Sequence, residues 1–331
     1  MKIGFTYDLK DDYIKMGFST VEVAEFDTVE TIEGIESSLR KLGYSVDRIG
    51  SVKSLISRLN AGDKWDLVFN IAEGVSGIGR EAAVPAILDV YSIPYVFSDP
   101  MVLSLTLHKG MTKRIVRDAG IKTPQFQIVY CSGDIKNVDI PYPLFAKPLS
   151  EGTGKGIGAL SMINNGGDLE KACLQMLKEY NQPVLVEKFL PGREFTVGIT
   201  GTGSDAKVVG MMEINFLAEA ESAAYGLVNK KNYEKLMKYT LPEKEMYDKC
   251  AETALAAWRV LECRDGGRID LRNNESEEPE FIEVNPLAGL NPIDSDLPIL
   301  SRMNGLDYDG LIKQIMDSAI KRIFDGKKQQ S

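Results

Sequence analysis

The chain has little cysteine, a single histidine, a minority of positive charge and no long apolar run. Cys131, Cys173, Cys250 and Cys263 lie far apart and form no C-x-x-C pair, which speaks against a disulfide framework and fits a reducing cytosol. No apolar stretch approaches the roughly 18–20 residues that span a bilayer. The opening "MKIGFTYDLKDD" turns acidic at Asp8, unlike a secretory signal. Against 48 acidic residues stand 39 basic ones, a net charge of −9, so a nucleic-acid partner is disfavoured and any anion site must be a local arrangement. No internal repeat is found. What is present is a 331-residue chain, 44% hydrophobic, long enough for two or three domains with real cores. The expectation is an acidic cytoplasmic protein with no nucleic-acid and no membrane partner.

Along the chain, strand and helix signals alternate through the first third. "KIGFTY" reads as a strand, and "EFDTVETIEGIESSLRKLG" as a helix with Ile32, Ile35 and Leu39 on one stripe, Asp27 as its N-cap and Gly43 just past its end. "YSVDRIG", "VKSLISRLNAG", "WDLVFNIA" and "REAAVPAILDVYS" continue the alternation, which implies an α/β domain with a doubly wound parallel sheet over residues 1–98. A central unit over 99–183 opens with one long helix, "VLSLTLHKGMTKRIVRDAG". A C-terminal unit of α+β character over 184–331 holds the strands "REFTVGIT", "KVVGMMEIN", "GGRIDLR" and "FIEVNP", with helices at 243–262 and 305–324.

Residues 144–160, "LFAKPLSEGTGKGIGAL", carry the most unusual composition. A dinucleotide fold requires a helix after its glycines, whereas "IGALSMI" reads as a second strand. A Walker loop requires a Gly four intervening residues before its Gly-Lys pair and a Ser or Thr after it; Leu149 and Gly156 stand there. Two readings remain: an ordinary surface hairpin, or a hairpin whose glycine tip lays backbone N–H groups on phosphate oxygens with Lys147 at its base. In "VLVEKFLPGREFTV", Glu187 suits the edge of a stacked base and Glu194 ribose hydroxyls, or the segment is a solvated strand end. In "GGRIDLR", Arg268 and Asp270 share a face, as do Glu283 and Asn285 in "EFIEVNP". If the two strands are neighbours, Asp270, Glu283 and Asn285 converge as oxygen ligands of the kind that suit Mg²⁺.

Taken in order, "LHKGMTK", "LFAKPLSEGTGKG", "VLVEKFLPGREFTV", "GGRIDLR" and "FIEVNPLAGLNP" resemble the ATP-grasp carboxylate–amine ligases, most of all the D-alanine–D-alanine ligases, over roughly residues 66–320. The resemblance implies an ATP-grasp fold and a ligase that joins an amino-acid carboxylate to an amino-acid amine through an acyl phosphate. It implies ATP and Mg²⁺, with Mn²⁺ as an alternative, and a homodimer as the candidate assembly. Carried over residue by residue, it puts Lys109 and Lys147 on phosphates beneath a flap that includes Glu151, Gly154 and Lys155. Glu187, Lys188, Leu190 and Glu194 would surround adenosine, and Asp270, Glu283 and Asn285 would hold two metal ions. Arg268 would stabilise the acyl-phosphate and tetrahedral species, and the Gly289 N–H would face the oxyanion. Lys230, after Tyr225, sits at the spacing of a phosphate-contacting lysine in the lid, or belongs to a solvated lysine-rich loop. His108 is expected to be structural.

The resemblance departs at the N-terminal end. "TYDLKDDYIKMGFSTVEVAEFDT" replaces the family's glycine-rich stretch with its ammonium-binding Glu, and "NIAEGVSGIGRE" replaces its His-Gly pair. Glu25 and Glu73 are the alternatives for the ammonium anchor. A different amino-acid or carboxylate substrate, and an ATP-binding regulator without turnover, are the competing functions.

Overall fold

Three sheets, each with its own hydrophobic filling, organise the computed structural model of the chain, which describes residues 1–152, 154–216 and 237–328. In the first, β1 (Lys2–Thr6) lies between β2 (Ser45–Gly50) and β3 (Leu67–Asn70), and both pairings are parallel. Helices α2 (Val29–Lys41) and α3 (Val52–Asn60) supply the two crossovers, and α4 (Ala83–Val90) follows β3. Ile32, Ile35 and Leu39 are buried along one stripe of α2, as the 3.6-residue period requires. Its cap is Thr28 rather than Asp27. Asp27 instead pairs its backbone with Asp8 and Lys10, and burial raises its carboxyl to about 8. A short helix, α1 (Lys10–Lys15), precedes this segment; its six residues show no apolar stripe and none is buried.

The segment expected as one helix is two, α5 (Pro100–Leu107) and α6 (Lys109–Asp118). His108 breaks them with ψ 83, and its Nδ1 accepts the Met111 N–H at 3.2 Å, capping α6. The lone histidine is therefore structural, and it sets Lys109 on the first turn of α6.

The central sheet runs β4 (Phe126–Val129), β7 (Val184–Lys188), β5 (Leu144–Pro148), β6 (Met162–Ile163) and is antiparallel. Helix α7 (Gly166–Tyr180) covers it through Leu169, Ala172, Cys173 and Met176. The return arm after the glycines is mostly a 3-10 turn over Ala159–Ser161 followed by the two residues of β6. The glycines give it too few side chains to sustain a ladder.

The C-terminal sheet orders β10 (Met237–Thr240), β9 (Lys207–Phe216), β8 (Glu194–Thr200), β11 (Gly266–Asn273) and β12 (Pro279–Asn285), all antiparallel. Helix α8 (Lys244–Val260) buries Cys250, Ala254, Ala257 and Trp258 against it. Val102 and Val116 of α5 and α6 enter the same core. Helix α9 (Asp296–Met303) packs on β8 and β9, and α10 (Tyr308–Lys328) packs on α2 of the first domain, where Leu311, Ile315 and Met316 join the core that holds Ile3, Phe5 and Phe69.

Candidate active site

Between the central and C-terminal sheets lies a cleft of about 770 Å³ whose apolar walls are Phe145, Ile157, Phe189, Leu190 and Ile282. Flat apolar walls with a few charged groups at one end suit a purine with its phosphates. Glu194 stands at one side and receives Arg272 at 3.1 Å, with the guanidinium carbon 4.8 Å from the Phe189 ring centroid. Lys188 turns away: its ammonium donates to the carbonyls of Pro141 and Tyr142 at 3.3 and 3.0 Å, so it lines the cleft while its charge ties β7 to the preceding loop.

At the charged end, Lys147 from β5 and Lys109 from α6 are 4% and 8% exposed. Lys109 is 3.7 Å from Glu283, and Lys147 is 3.9 Å from the same carboxylate. Burial lowers the Lys109 ammonium below the ordinary lysine range. Burial acts on Lys147 in the same direction, but the Glu187 and Glu283 carboxylates outweigh it and raise that group. Glu283 is close enough to hold both ammonium groups in place and Glu187 holds that of Lys147, and an incoming phosphate offers a stronger partner.

β11 and β12 are neighbours, and their register sets Arg268 opposite Asn285 and Asp270 opposite Glu283. Because side chains alternate across a strand, Arg268, Asp270, Glu283 and Asn285 share one face. Arg268, 6% exposed, pairs with Asp270 and lies 3.6 Å from Asp296. Thr196 donates to Asp270 at 2.9 Å. The terminal amide nitrogen of Asn285 is buried with no hydrogen-bond partner among the described residues; amide N and O are interchangeable at this level of assignment, so an oxygen there suits a cation. Two carboxylates and an amide are hard donors that fit Mg²⁺, or Mn²⁺, with phosphate oxygens completing the shell. Among the described residues no group of three or more His, Cys, Asp or Glu is placed to hold a metal ion.

A second cavity of about 600 Å³ adjoins the cleft, lined by Glu25, Glu73, Glu81, Arg268, Asn285 and Gly289 among others. Lys109, Glu151 and Glu283 line both spaces. A Cβ on Gly289 would stand 2.8 Å from Ser295 Oγ, so this position keeps its backbone open to the cavity only as glycine.

The glycine loop closes over the junction and is held from three sides. Arg80 donates to the Ser150 carbonyl at 3.1 Å, Lys109 donates to the Glu151 carbonyl at 2.5 Å, and Gly152 N–H donates to Glu25 at 2.6 Å. A side chain at Gly152 would strike Glu25, and one at Gly156, where φ is +81°, would meet Pro148 at 2.4 Å. Lys155 pairs with Glu151 at 2.8 Å, and Gly154 lines the cleft between the sheets beside it. The other oxygen of Glu25 binds Arg80 at 3.1 Å. Glu73 and Glu81 form no hydrogen bond or ion pair among the described residues. Burial raises both carboxyls, Glu81 to about 7, and the neighbouring Glu25 charge adds to each shift.

Residues 115–317 match the family described as D-ala D-ala ligase C-terminus. The chain belongs to the D-alanine–D-alanine ligase family. It is 31% identical over 261 residues to the uncharacterized protein y4sG of Sinorhizobium fredii, covering 78% of this chain and 76% of that one. It is 29% identical over 298 residues to the D-alanine–D-alanine ligase of Aquifex aeolicus, covering 87% and 94%. The crystal structure of D-alanine–D-alanine ligase from Bacillus anthracis complexed with ATP superposes with a TM-score of 0.73 at 21% identity over the whole of both chains. The ATP-grasp fold and the class of ATP-dependent carboxylate–amine ligase follow from this membership.

In this D-alanine–D-alanine ligase-family chain, Lys109, Lys147, Glu151, Gly154, Lys155, Glu187, Lys188, Leu190, Glu194, Asp270 and Glu283 all line the cleft between the central and C-terminal sheets. Arg268, Asn285, Gly289, Glu25 and Glu73 line the adjoining cavity. Lys230 and Tyr225 lie outside the described residues. Glu187, expected at a base edge, has both oxygens on lysines: Lys113 at 2.9 Å and Lys147 at 3.0 Å. Four residues escaped the sequence reading. Arg272 was legible, since it follows Asp270 by two residues on the same strand face. Arg80 and Glu81 carry no local signal, because only the fold brings the segment after β3 against the glycine loop that follows β5. Lys113 sits one helical turn after Lys109, a spacing that marks a shared face.

Proposed function

We propose that this ligase joins two amino acids, with D-alanine as the leading substrate at both positions. The observation that carries the reading is the shared wall: Lys109, Glu151 and Glu283 belong at once to the nucleotide cleft and to the acid-lined cavity. A γ-phosphate at the end of the first space meets a carboxylate held in the second. The substrate carboxylate takes the γ-phosphoryl group, releasing ADP; the amine of the second amino acid then attacks the carbonyl carbon, and phosphate leaves as the amine sheds its proton. Lys109 and Lys147 hold the phosphates, Arg268 and the Gly289 N–H face the charge that develops on the carbonyl oxygen, and the glycine loop excludes water. Bound at Asp270, Glu283 and Asn285, Mg²⁺ would supply neutralisation of phosphate charge. The deciding measurement is a matrix of paired D- and L-amino acids, read by phosphate release and product mass. D-Ala–D-Ala product is expected; product from another pair alone would retain the ligase and remove the D-alanine assignment. ATP binding with silence across the matrix would favour a regulator.

The ammonium of the first amino acid is assigned to Glu73 and Glu81, because Glu25 already holds Gly152 and Arg80. Glu73→Gln is expected to raise the KM of one amino acid roughly 10–100-fold, the scale of one charged hydrogen bond, with nucleotide affinity retained. Glu25→Gln should weaken nucleotide binding too, since it releases the loop. With Glu81 near 7, that carboxyl is neutral below this pH and ionised above it, so the KM of the first amino acid should fall as pH rises from about 6 to 8. A flat KM profile in the wild type, or Glu73→Gln kinetics equal to wild type, would move the anchor elsewhere.

A further inference from the structure

Lys113 is 0% exposed and takes no part in the steps above. A lysine so deeply buried is expensive unless several acceptors face it. Its ammonium donates to Thr123 Oγ1 at 3.0 Å and to the Phe281 carbonyl at 3.3 Å, and it lies 2.9 Å from Glu187. Thr123 also donates to the Phe281 carbonyl, at 2.8 Å. Glu187 is on β7 of the central sheet, while Phe281 is on β12 of the C-terminal sheet, two residues before Glu283. One ammonium therefore joins the two sheets that form the nucleotide cleft.

The charges point to a more specific role. Glu187 lies between two ammonium groups, Lys113 on one oxygen and Lys147 on the other. Lys113 is enclosed, whereas Lys147 lines the cleft. We propose, resting on the ATP reading above, that Lys113 is a positioning residue that occupies Glu187 so that Lys147 keeps its positive charge for the nucleotide phosphates. Without Lys113, the full charge of Glu187 falls on Lys147, 3.0 Å away. Lys147 is then neutralised by its own neighbour, and a phosphate has to compete with a buried carboxylate for it. With Lys113 present the cluster of two lysines and one glutamate carries a net positive charge, and its members that line the cleft are Lys147 and Glu187. The burial of Lys113 matters for the same reason, since no water screens its hold on Glu187.

This role predicts a sign that a merely structural contact does not. Binding of ATP and of its non-hydrolysable β,γ-imido analogue is measured on the full chain, with thermal unfolding alongside. The proteins compared are the wild type, Lys113→Met, Lys113→Arg and the double variant Lys113→Met/Glu187→Gln. Lys113→Met is expected to weaken nucleotide binding roughly 10–100-fold, the scale of one charged hydrogen bond. The KM values of the amino acids should stay within about threefold. Removing the carboxylate as well should tighten nucleotide binding at least about threefold over Lys113→Met, because nothing is left to capture Lys147; full wild-type affinity is not expected, since Glu187 itself lines the cleft. A double variant that binds nucleotide no better than Lys113→Met, or a Lys113→Met protein that binds like wild type, overturns the role. Should Lys113→Met fail to fold, the double variant and Lys113→Arg decide. Glu187→Gln is then measured as well: Lys113→Arg within about threefold of wild type and a double variant within about threefold of Glu187→Gln support the role, and a larger loss in either comparison overturns it. Absence of nucleotide binding by the wild type is a separate result, which removes the ATP reading and this role with it.

Discussion

Glu283→Gln is expected to lower kcat roughly 10²–10³-fold, about 2.7–4 kcal/mol of transition-state stabilisation, while leaving the fold intact. The glutamate sits where the two cavities meet, opposite Asp270 on the neighbouring strand and within 3.7 and 3.9 Å of Lys109 and Lys147. Glutamine preserves the shape and keeps one oxygen donor, but it removes the negative charge from the set that includes Asp270 and Asn285. Two lysines then face each other with less between them, and the hard-donor set loses one of its two carboxylates. The side chain keeps partial access to solvent, so its contribution to folding is small and the melting temperature should change little. Kinetics at saturating ATP, amino acids and Mg²⁺ measure the effect. Turnover near the wild-type rate would remove Glu283 from the catalytic set.

The second large effect falls on stability. Asp265, immediately before β11, has a side chain that is 0% exposed. It accepts the Phe97 N–H at 2.9 Å, the Ser318 hydroxyl at 2.9 Å and Thr202 at 3.3 Å, and it pairs with Arg322 at 2.6 Å. One carboxylate thus fastens the end of the first domain, the start of the catalytic strand β11 and helix α10. Asp265→Ala strands four donors at once. Loss of one partner from a buried pair costs about 3–5 kcal/mol, and the lower end applies here because Arg322 retains some access to water. Chemical denaturation should show that loss. Activity at low temperature should fall less, since Asp265 touches no part of either cavity. A loss below about 1 kcal/mol would mean that the four donors find other partners.

Several features of this ligase could be read directly from the chain because each depends on neighbours in sequence. Alternation along "GGRIDLR" and "EFIEVNP" puts Arg268 with Asp270 and Glu283 with Asn285 on single strand faces, as the two-residue period of a strand dictates. The 3.6-residue period exposed α2, and the order of the five motifs pointed to ATP-grasp. Local pattern also misled where two signals competed. Asp27 resembles a cap, yet the chain places Thr28 there, and the helix through "LHKGMT" is broken by a histidine that caps its own second half.

Only the tertiary structure settled which charge answers which. That Asp270 falls opposite Glu283 depends on the register of the β11–β12 hairpin, which shifts between Asp270 and Leu271 and which no local spacing encodes. Glu25 reads alone as an ammonium anchor; in the fold it meets Gly152, 127 residues away, and Arg80, 55 residues away. Glu187 reads as a base-edge acceptor; in the fold its carboxylate also meets Lys113 and Lys147. The physical reason is the same in each case. Backbone periodicity is a short-range property of the chain, whereas the partner of a buried charge is chosen by desolvation and Coulomb attraction among groups that only folding brings together.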